Sequence, residues 1–142
     1  MDDLYRENLL DHYKHPRHYG PMADATVSLE GQNPLCGDHV DLHLRLDDAR
    51  ERIEAISFEA RACTICTASL SMLTELVEDD PSVAHAAAID REAIAEAVGI
   101  PLSPTRLKCA LLGLGTLRVA LHREYGTDLP DGWAGMDEVD WR

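Results

Sequence analysis

Residues 39–46 read H-V-D-L-H-L-R-L, and this stretch decides the fold. Its apolar residues occupy every second position, with histidine, aspartate or arginine between them. A period of two is typical of a β-strand that buries one face and leaves the other in water. The pattern therefore predicts a strand that covers a hydrophobic core.

A second alternating stretch follows after a short polar connection, with Ile56, Phe58 and Ala60 as its apolar positions. Two adjacent strands joined by a short loop pair antiparallel, and directly opposed residues share one face of the sheet. Leu42 is therefore expected opposite Ile56 or Phe58. By the same argument, Val40 is expected opposite Phe58 or Ala60.

Either register makes a prediction about the cysteines. Continued outward, it brings Cys36 beside Ala62 or Thr64, and so next to Cys63. The sequence thus predicts that these two cysteines are neighbours at one end of the hairpin, although 26 residues lie between them.

The remaining elements are predicted from apolar residues at helical spacing and from capping and stop signals. The predicted helices cover about 3–14, 64–78, 81–88, 91–98 and 104–123, and a short first strand covers 26–29. Together with the hairpin they indicate a single α+β domain, a small antiparallel sheet of about three strands with helices packed on one face. We place this domain at residues 1–124 and interpret 125–142, with its two tryptophans, as a C-terminal tail.

Composition excludes several classes of function. The chain has 142 residues and a net charge of −13, whereas a sequence-independent nucleic-acid binder or an anionic-membrane binder needs a basic face. The start, M-D-D-L-Y-R, has no apolar signal region, and no apolar run reaches the roughly 20 residues of a membrane span. We therefore expect a cytoplasmic protein that binds neither nucleic acid nor membrane. Disulfides are rare in that compartment, so its four cysteines indicate metal binding, catalysis or burial.

The segment R-A-C-T-I-C-T-A-S-L-S contains a C-x-x-C pair, Cys63 and Cys66. Such a pair is typical of a redox dithiol, of half a zinc site, or of one working thiol beside an idle one. A redox dithiol would need a thioredoxin-like βαβ context, and the antiparallel hairpin argues against it. Cys63 lies where a strand meets a helix N-terminus, a place that favours a thiolate.

Cys66 has a different environment. It continues an apolar stripe at helical spacing with Leu70, Leu73 and Val77, and a free cysteine on such a stripe behaves as a small apolar residue. The pattern predicts that Cys66 is buried in the core.

Two further segments supply candidate ligands. Cys36 lies in the turn N-P-L-C-G-D, where Gly37 permits a tight turn and Asp38 can direct a carboxylate into the same space. Cys109 lies in the first turns of the last long helix, and the basic residues beside it favour the thiolate form. Alternatively, Cys109 is a buried core cysteine. Three thiols and one carboxylate suit a tetrahedral site for zinc or an iron–sulfur cluster, and ligand type alone does not choose between them.

The histidines are not expected to be ligands. His39 and His43 point the same way on the strand and are interpreted as its solvated face. His12, His15 and His18 lie near the end of the first helix, where they could cap it or contact a partner.

Four motifs occur in the order Y-R-E-N-L-L-D-H-Y-K-H-P-R-H-Y-G, N-P-L-C-G-D, R-A-C-T-I-C-T-A-S and P-T-R-L-K-C-A-L-L. In order and cysteine spacing they resemble the IscU/SufU/NifU-N-terminal family of iron–sulfur assembly proteins, from about Leu4 to Leu121. The resemblance implies an α+β fold. It also implies that the metal or cluster ligands are Cys36, Asp38, Cys63 and Cys109, while Cys66 falls where relatives commonly have serine.

The resemblance is divided between two branches. Lys108 stands where IscU-type scaffolds have histidine, which is SufU-like, whereas the short interval between Cys63 and Cys109 is IscU-like. The family resemblance therefore implies either resident zinc or a transient cluster.

As a function, the resemblance implies an iron–sulfur cluster assembly scaffold that accepts sulfur from a PLP-dependent cysteine desulfurase. The scaffold would hold a transient [2Fe–2S] cluster or metal ion and deliver it to downstream acceptor proteins. Cys36 and Cys109 are the candidate persulfide acceptors, and Asp38 is the exchangeable ligand. The alternatives are a zinc-dependent sulfurtransfer protein of SufU type, in which the chain relays a persulfide, and a structural zinc module.

Overall fold

The computed structural model describes residues 2–33 and 37–126, in which five helices and three strands are formed. In chain order these are α1 (Asp2–Lys14), β1 (Val27–Asn33), β2 (Asp38–Leu46), β3 (Ile53–Arg61), α2 (Thr64–Asp79), α3 (Val83–Ala88), α4 (Arg91–Val98) and α5 (Pro104–Tyr125). The α+β class predicted from the sequence is confirmed.

The three strands form one antiparallel sheet in the order β1-β2-β3. Leu42 is opposite Phe58, and Val40 is opposite Ala60, which is one of the two registers expected from the alternation. The even-numbered apolar side chains of β2 are buried, and the odd-numbered polar ones are half-buried on the other face. The prediction of the hairpin and of its core-facing side is therefore confirmed.

The first strand is longer than predicted. The sequence pattern predicts an end at Leu29, since Glu30, Gly31 and Gln32 carry no apolar signal. Their backbones nevertheless pair with β2 as far as Asn33. Pairing with a central strand satisfies the backbone hydrogen bonds of β1 whatever its side chains, which is why the pattern missed this part.

The helices cover one face of the sheet. Helix α5 packs on β1 and β2, α2 packs on β3, and α1 and α4 pack on α2. The predicted stripe on α2 is buried throughout, Cys66 included. The core is built mainly from leucine, with Phe58 its one fully buried aromatic side chain among the described residues.

The capping signals place the helix ends as predicted for α4 and α5. Asp90 accepts a hydrogen bond from the backbone N–H of Ala93, and Gly99 ends α4 in the left-handed conformation at φ 73°. Ser103 caps α5, which runs two residues beyond the expected Arg123, to Tyr125. The predicted tail falls almost wholly on residues 127–142, outside the described residues, and the domain boundary stays a prediction.

Two histidines attach the N-terminal segment to α2. His12 Nδ1 lies 2.7 Å from Ser71 Oγ, and its Nε2 lies 3.1 Å from Glu75 Oε1. His18 contacts α2 in the same manner, through Thr74 and Glu78. The sequence had allowed these side chains to cap α1 or to contact a partner. Instead, they form contacts between segments about 60 residues apart.

Across residues 2–33 and 37–126, no helix has the length and apolar character that crossing a membrane requires.

Candidate metal centre

Three elements bring ligand atoms together at one end of the sheet. Asp38 begins β2, Cys63 is the N-cap of α2, and Cys109 lies in the second turn of α5. One ligand atom from each lies within 4.8 Å of the other two. Asp38 and Cys109 are 4% and 5% exposed, whereas Cys63 is open to solvent. The cluster is therefore anchored in the core and accessible from one side.

The turn before β2 places Asp38. Gly37 has φ 73°, a left-handed conformation that glycine adopts readily, and its N–H donates to Asn33 O at 2.9 Å. Asp38 Oδ1 then accepts the Cys63 N–H at 2.9 Å, and the Cys63 thiol donates to Oδ2 at 3.5 Å. The carboxylate thus fixes the backbone of the residue whose sulfur it faces.

The electrostatics of Cys63 differ from the expectation. Its Sγ does accept the Cys66 N–H at 3.4 Å, as a helix N-terminus allows. Removal from water nevertheless raises the pKa of the Cys63 thiol, and the negative charge of Asp38 adds to the rise, although the Cys66 N–H and the Cys109 thiol lower it. The helix N-terminus thus lowers the pKa of this thiol, as predicted, but desolvation outweighs it and the net direction is upward.

The donor set fits a soft metal. Ligands at about 2.0–2.3 Å from a common zinc ion lie roughly 3–4 Å from one another, so modest side-chain rotations would close a group that already lies within 4.8 Å. Two sulfurs and one carboxylate leave one tetrahedral position. The predicted fourth ligand, Cys36, lies outside the described residues. The prediction that Cys36 is a neighbour of Cys63 therefore stays a prediction.

The other cysteine of the C-x-x-C pair is not part of this group. Cys66 is 0% exposed within the core, three residues into α2 from Cys63, as the apolar stripe predicted. Cys109 is also buried, which agrees with its alternative interpretation as a core residue, yet its sulfur faces Cys63 and Asp38.

A cleft of about 750 Å³ opens beside the two thiols. Its lining is apolar except for Thr64, the cysteines and two arginines, Arg6 and Arg106. This cleft is thus lined by two cationic side chains, although the net charge of the chain is −13. The position of Arg6 near the thiols was not predicted from the sequence, because no local pattern shows that α1 forms a wall of this cleft.

Known proteins resemble this chain over most of its length. Residues 4–127 match the family model described as NifU-like N terminal domain. The zinc-dependent sulfurtransferase SufU of Bacillus subtilis (strain 168) is 32% identical, covering 89% of this chain and 95% of its own. The iron–sulfur cluster assembly scaffold protein IscU of Aquifex aeolicus (strain VF5) is 35% identical, covering 85% and 76%.

A solved structure shares the fold. It is an iron–sulfur cluster assembly scaffold protein for the SUF system from Fervidobacterium islandicum AW-1, with a TM-score of 0.63 and 26% identity, over 81% of this chain and 94% of that one. With the family match over residues 4–127, this shows that the chain belongs to the family of NifU-like N-terminal domains.

Proposed function

We propose that this protein is an iron–sulfur cluster assembly scaffold that accepts sulfur from a PLP-dependent cysteine desulfurase. The observation that carries the proposal is the convergence of Asp38, Cys63 and Cys109 from three elements within 4.8 Å. Cys36 completes the ligand set, and a transient [2Fe–2S] cluster or metal ion is the cargo, passed on to acceptor proteins. The cytoplasmic location expected from the sequence is part of this proposal.

The sulfur transfer conserves atoms and charge. A thiolate of this chain attacks the terminal sulfur of the desulfurase persulfide, and the S–S bond of that persulfide breaks. The desulfurase cysteine leaves as a thiolate, and the persulfide now stands on this chain, without an external oxidant or reductant. We propose Cys36 or Cys109 as the acceptor. The cationic lining of the cleft, from Arg6 and Arg106, favours the approach of a persulfide anion.

A second candidate function is a zinc-dependent persulfide relay. It is favoured by Lys108, which is the SufU-like residue in the last motif. It is also favoured by the match to the Bacillus subtilis sulfurtransferase, which covers 95% of that protein. Zinc bound here would keep the coordinated sulfurs in the thiolate form. That matters for Cys63, since burial raises the pKa of this thiol when no metal is present.

Metal and sulfide analysis separates the two functions. The protein is purified anaerobically from its own cells, and zinc, iron and acid-labile sulfide are measured beside an absorption spectrum. Iron and sulfide in equal amounts support the scaffold, and zinc without sulfide supports the relay. A protein with neither metal nor sulfide, and no effect on desulfurase turnover, would contradict both. Stoichiometric zinc that leaves turnover unchanged would indicate a structural zinc module.

Four single substitutions test the ligand set. We predict that Cys36→Ser, Cys63→Ser and Cys109→Ser each weaken zinc binding at least about 10-fold, because each removes a proposed thiolate ligand. Cys66→Ser is the matched control, since this thiol lies in the core and outside the cluster. The measurement is competition with a chromophoric chelator, with circular dichroism to confirm folding. If the folded Cys66 variant alone lost zinc, the ligand assignment would be wrong.

A further inference from the structure

A second cluster of ligand-type side chains lies on the opposite face of the sheet. Glu30, His39 and Asp41 each place a ligand atom within 4.8 Å of the other two. The strand register causes this convergence. Glu30 on β1 is directly opposite Asp41 on β2, and His39 lies two residues before Asp41 on the same face.

Negative charge predominates around this cluster, although Arg61 on β3 is directly opposite His39. Glu30, Asp41 and Glu59 stand opposite one another in a single row across the three strands. Like charges in directly opposed positions destabilise a sheet. Glu59 is close to His43, at 3.3 Å, but within the described ranges the Glu30 carboxylate has no hydrogen bond or ion pair. A bound cation would offset this repulsion.

The geometry suits a metal ion in particular. His39 Nε2 lies 3.4 Å from Asp41 Oδ1, close to the separation of two ligands that share one ion. His39 and Asp41 are half-buried, with side chains 21% and 34% exposed, so the strands fix their positions. One imidazole and two carboxylates form a harder donor set than thiolates and suit Fe²⁺, Co²⁺ or Zn²⁺ with water in the open positions.

We propose that Glu30, His39 and Asp41 form a second site, which binds a divalent first-row transition metal independently of the thiol centre. Asp38 and His39 are consecutive in β2, so their side chains point to opposite faces of the sheet. The two sites therefore share no ligand. The protein would hold a soft, sulfur-rich position on its helical side and a harder, weaker one on its open side.

Anaerobic titration with Co²⁺ tests the proposal on the full-length protein after one equivalent of Zn²⁺ has been added. We expect one further Co²⁺ to bind with weak d–d bands and without thiolate-to-metal charge transfer. His39→Ala and Asp41→Asn should each weaken this binding about 10-fold or more. Glu30→Gln should weaken it as well. His85→Ala is the control, because His85 lies near only one carboxylate, with Nδ1 3.8 Å from Asp80 Oδ2.

Several outcomes would overturn the second site. They are the absence of a further equivalent, its retention in both His39→Ala and Asp41→Asn, or an equal loss in His85→Ala. A parallel Co²⁺ titration without Zn²⁺ reports the thiol centre separately, through thiolate-to-metal charge transfer. If the proposed function fails, this charge transfer is absent and the cysteine variants bind zinc like the unaltered protein, whatever the second site does.

Discussion

Asp38 contacts Cys63 through both carboxylate oxygens. Oδ1 accepts the Cys63 N–H, and Oδ2 faces the Cys63 sulfur. The residue is 4% exposed, so its contact with Cys63 is largely shielded from water. This positioning role is distinct from its proposed role as the exchangeable ligand.

Two substitutions separate the roles of Asp38. Asp38→Asn keeps a carbonyl acceptor for the Cys63 N–H, whereas Asp38→Ala leaves this amide without its partner. We predict that the metal-free Ala variant is about 1–2 kcal/mol less stable than the Asn variant, measured by urea unfolding. Equal stability would mean that the hydrogen bond has no structural role.

The same two variants, Asp38→Asn and Asp38→Ala, test whether Asp38 is the exchangeable ligand. If Asp38 is the weak ligand that lets cargo leave, a reconstituted cluster should survive longer in both variants than in the unaltered protein when an acceptor is added. The visible absorption of the cluster is followed with time. Faster loss in the Asn variant would contradict this role, because that variant keeps the contact with the Cys63 backbone.

At the scale of elements, the site depends on how closely α5 packs on β1. Gly31 of β1 faces Thr116 of α5, and a Cβ added at Gly31 would lie 2.0 Å from Thr116 Oγ1 and 3.1 Å from Val40 Cγ2. No side chain fits between strand and helix at this point. Because α5 also carries Cys109, the contact helps to set the distance of that sulfur from Asp38 and Cys63.

A double-mutant cycle tests this packing. We predict that Gly31→Ala lowers the free energy of unfolding by about 1–3 kcal/mol, because it overfills a closed contact. Thr116→Ala removes the nearest atom, so the double variant should recover part of the loss. Strictly additive effects in chemical denaturation would show that the methyl group is accommodated elsewhere.

At the scale of the whole molecule, we expect the contact of His12 with α2 to make stability depend on pH. Burial lowers the pKa of His12 below its ordinary 6.5 and Arg17 lowers it further, against the opposing effect of Glu75 and Asp11. Between the folded pKa and about pH 6.5, the unfolded chain therefore binds more protons at this group than the folded one. Stability from this group is fully present above that pH and is lost as pH falls through the folded pKa.

We predict that the unaltered protein loses stability relative to His12→Gln as pH falls from 7.5 to 5.0, by at most about 1.4 kcal/mol per pH unit. Glutamine keeps a polar group near Ser71 but does not titrate in this range. Urea unfolding followed by circular dichroism at several pH values gives the comparison. His85→Gln serves as the exposed control, and parallel curves for the unaltered protein and His12→Gln would refute the prediction.

Much of the fold followed from local patterns. The alternation in β2 identified the strand and its buried face, and apolar matching reduced the hairpin to two registers. Asp90, Gly99 and Ser103 marked helix ends because caps are satisfied by neighbours in sequence. The apolar stripe that contains Cys66 likewise distinguished this core thiol from Cys63, because helical spacing is a local pattern. These features depend on hydrogen bonds and burial within one or two turns of chain.

Other features depended on tertiary structure. The contacts of His12 and His18 with α2 span about 60 residues and leave no periodic signal. The second ligand cluster required the register of β1 against β2, and β1 was predicted too short to show it. The raised pKa of Cys63 also required structure, because desolvation depends on how much protein surrounds a thiol. Sequence alone determined the candidate ligand residues and the apolar side of each element. The tertiary structure decided which of these residues meet, because packing between distant segments sets distance and burial.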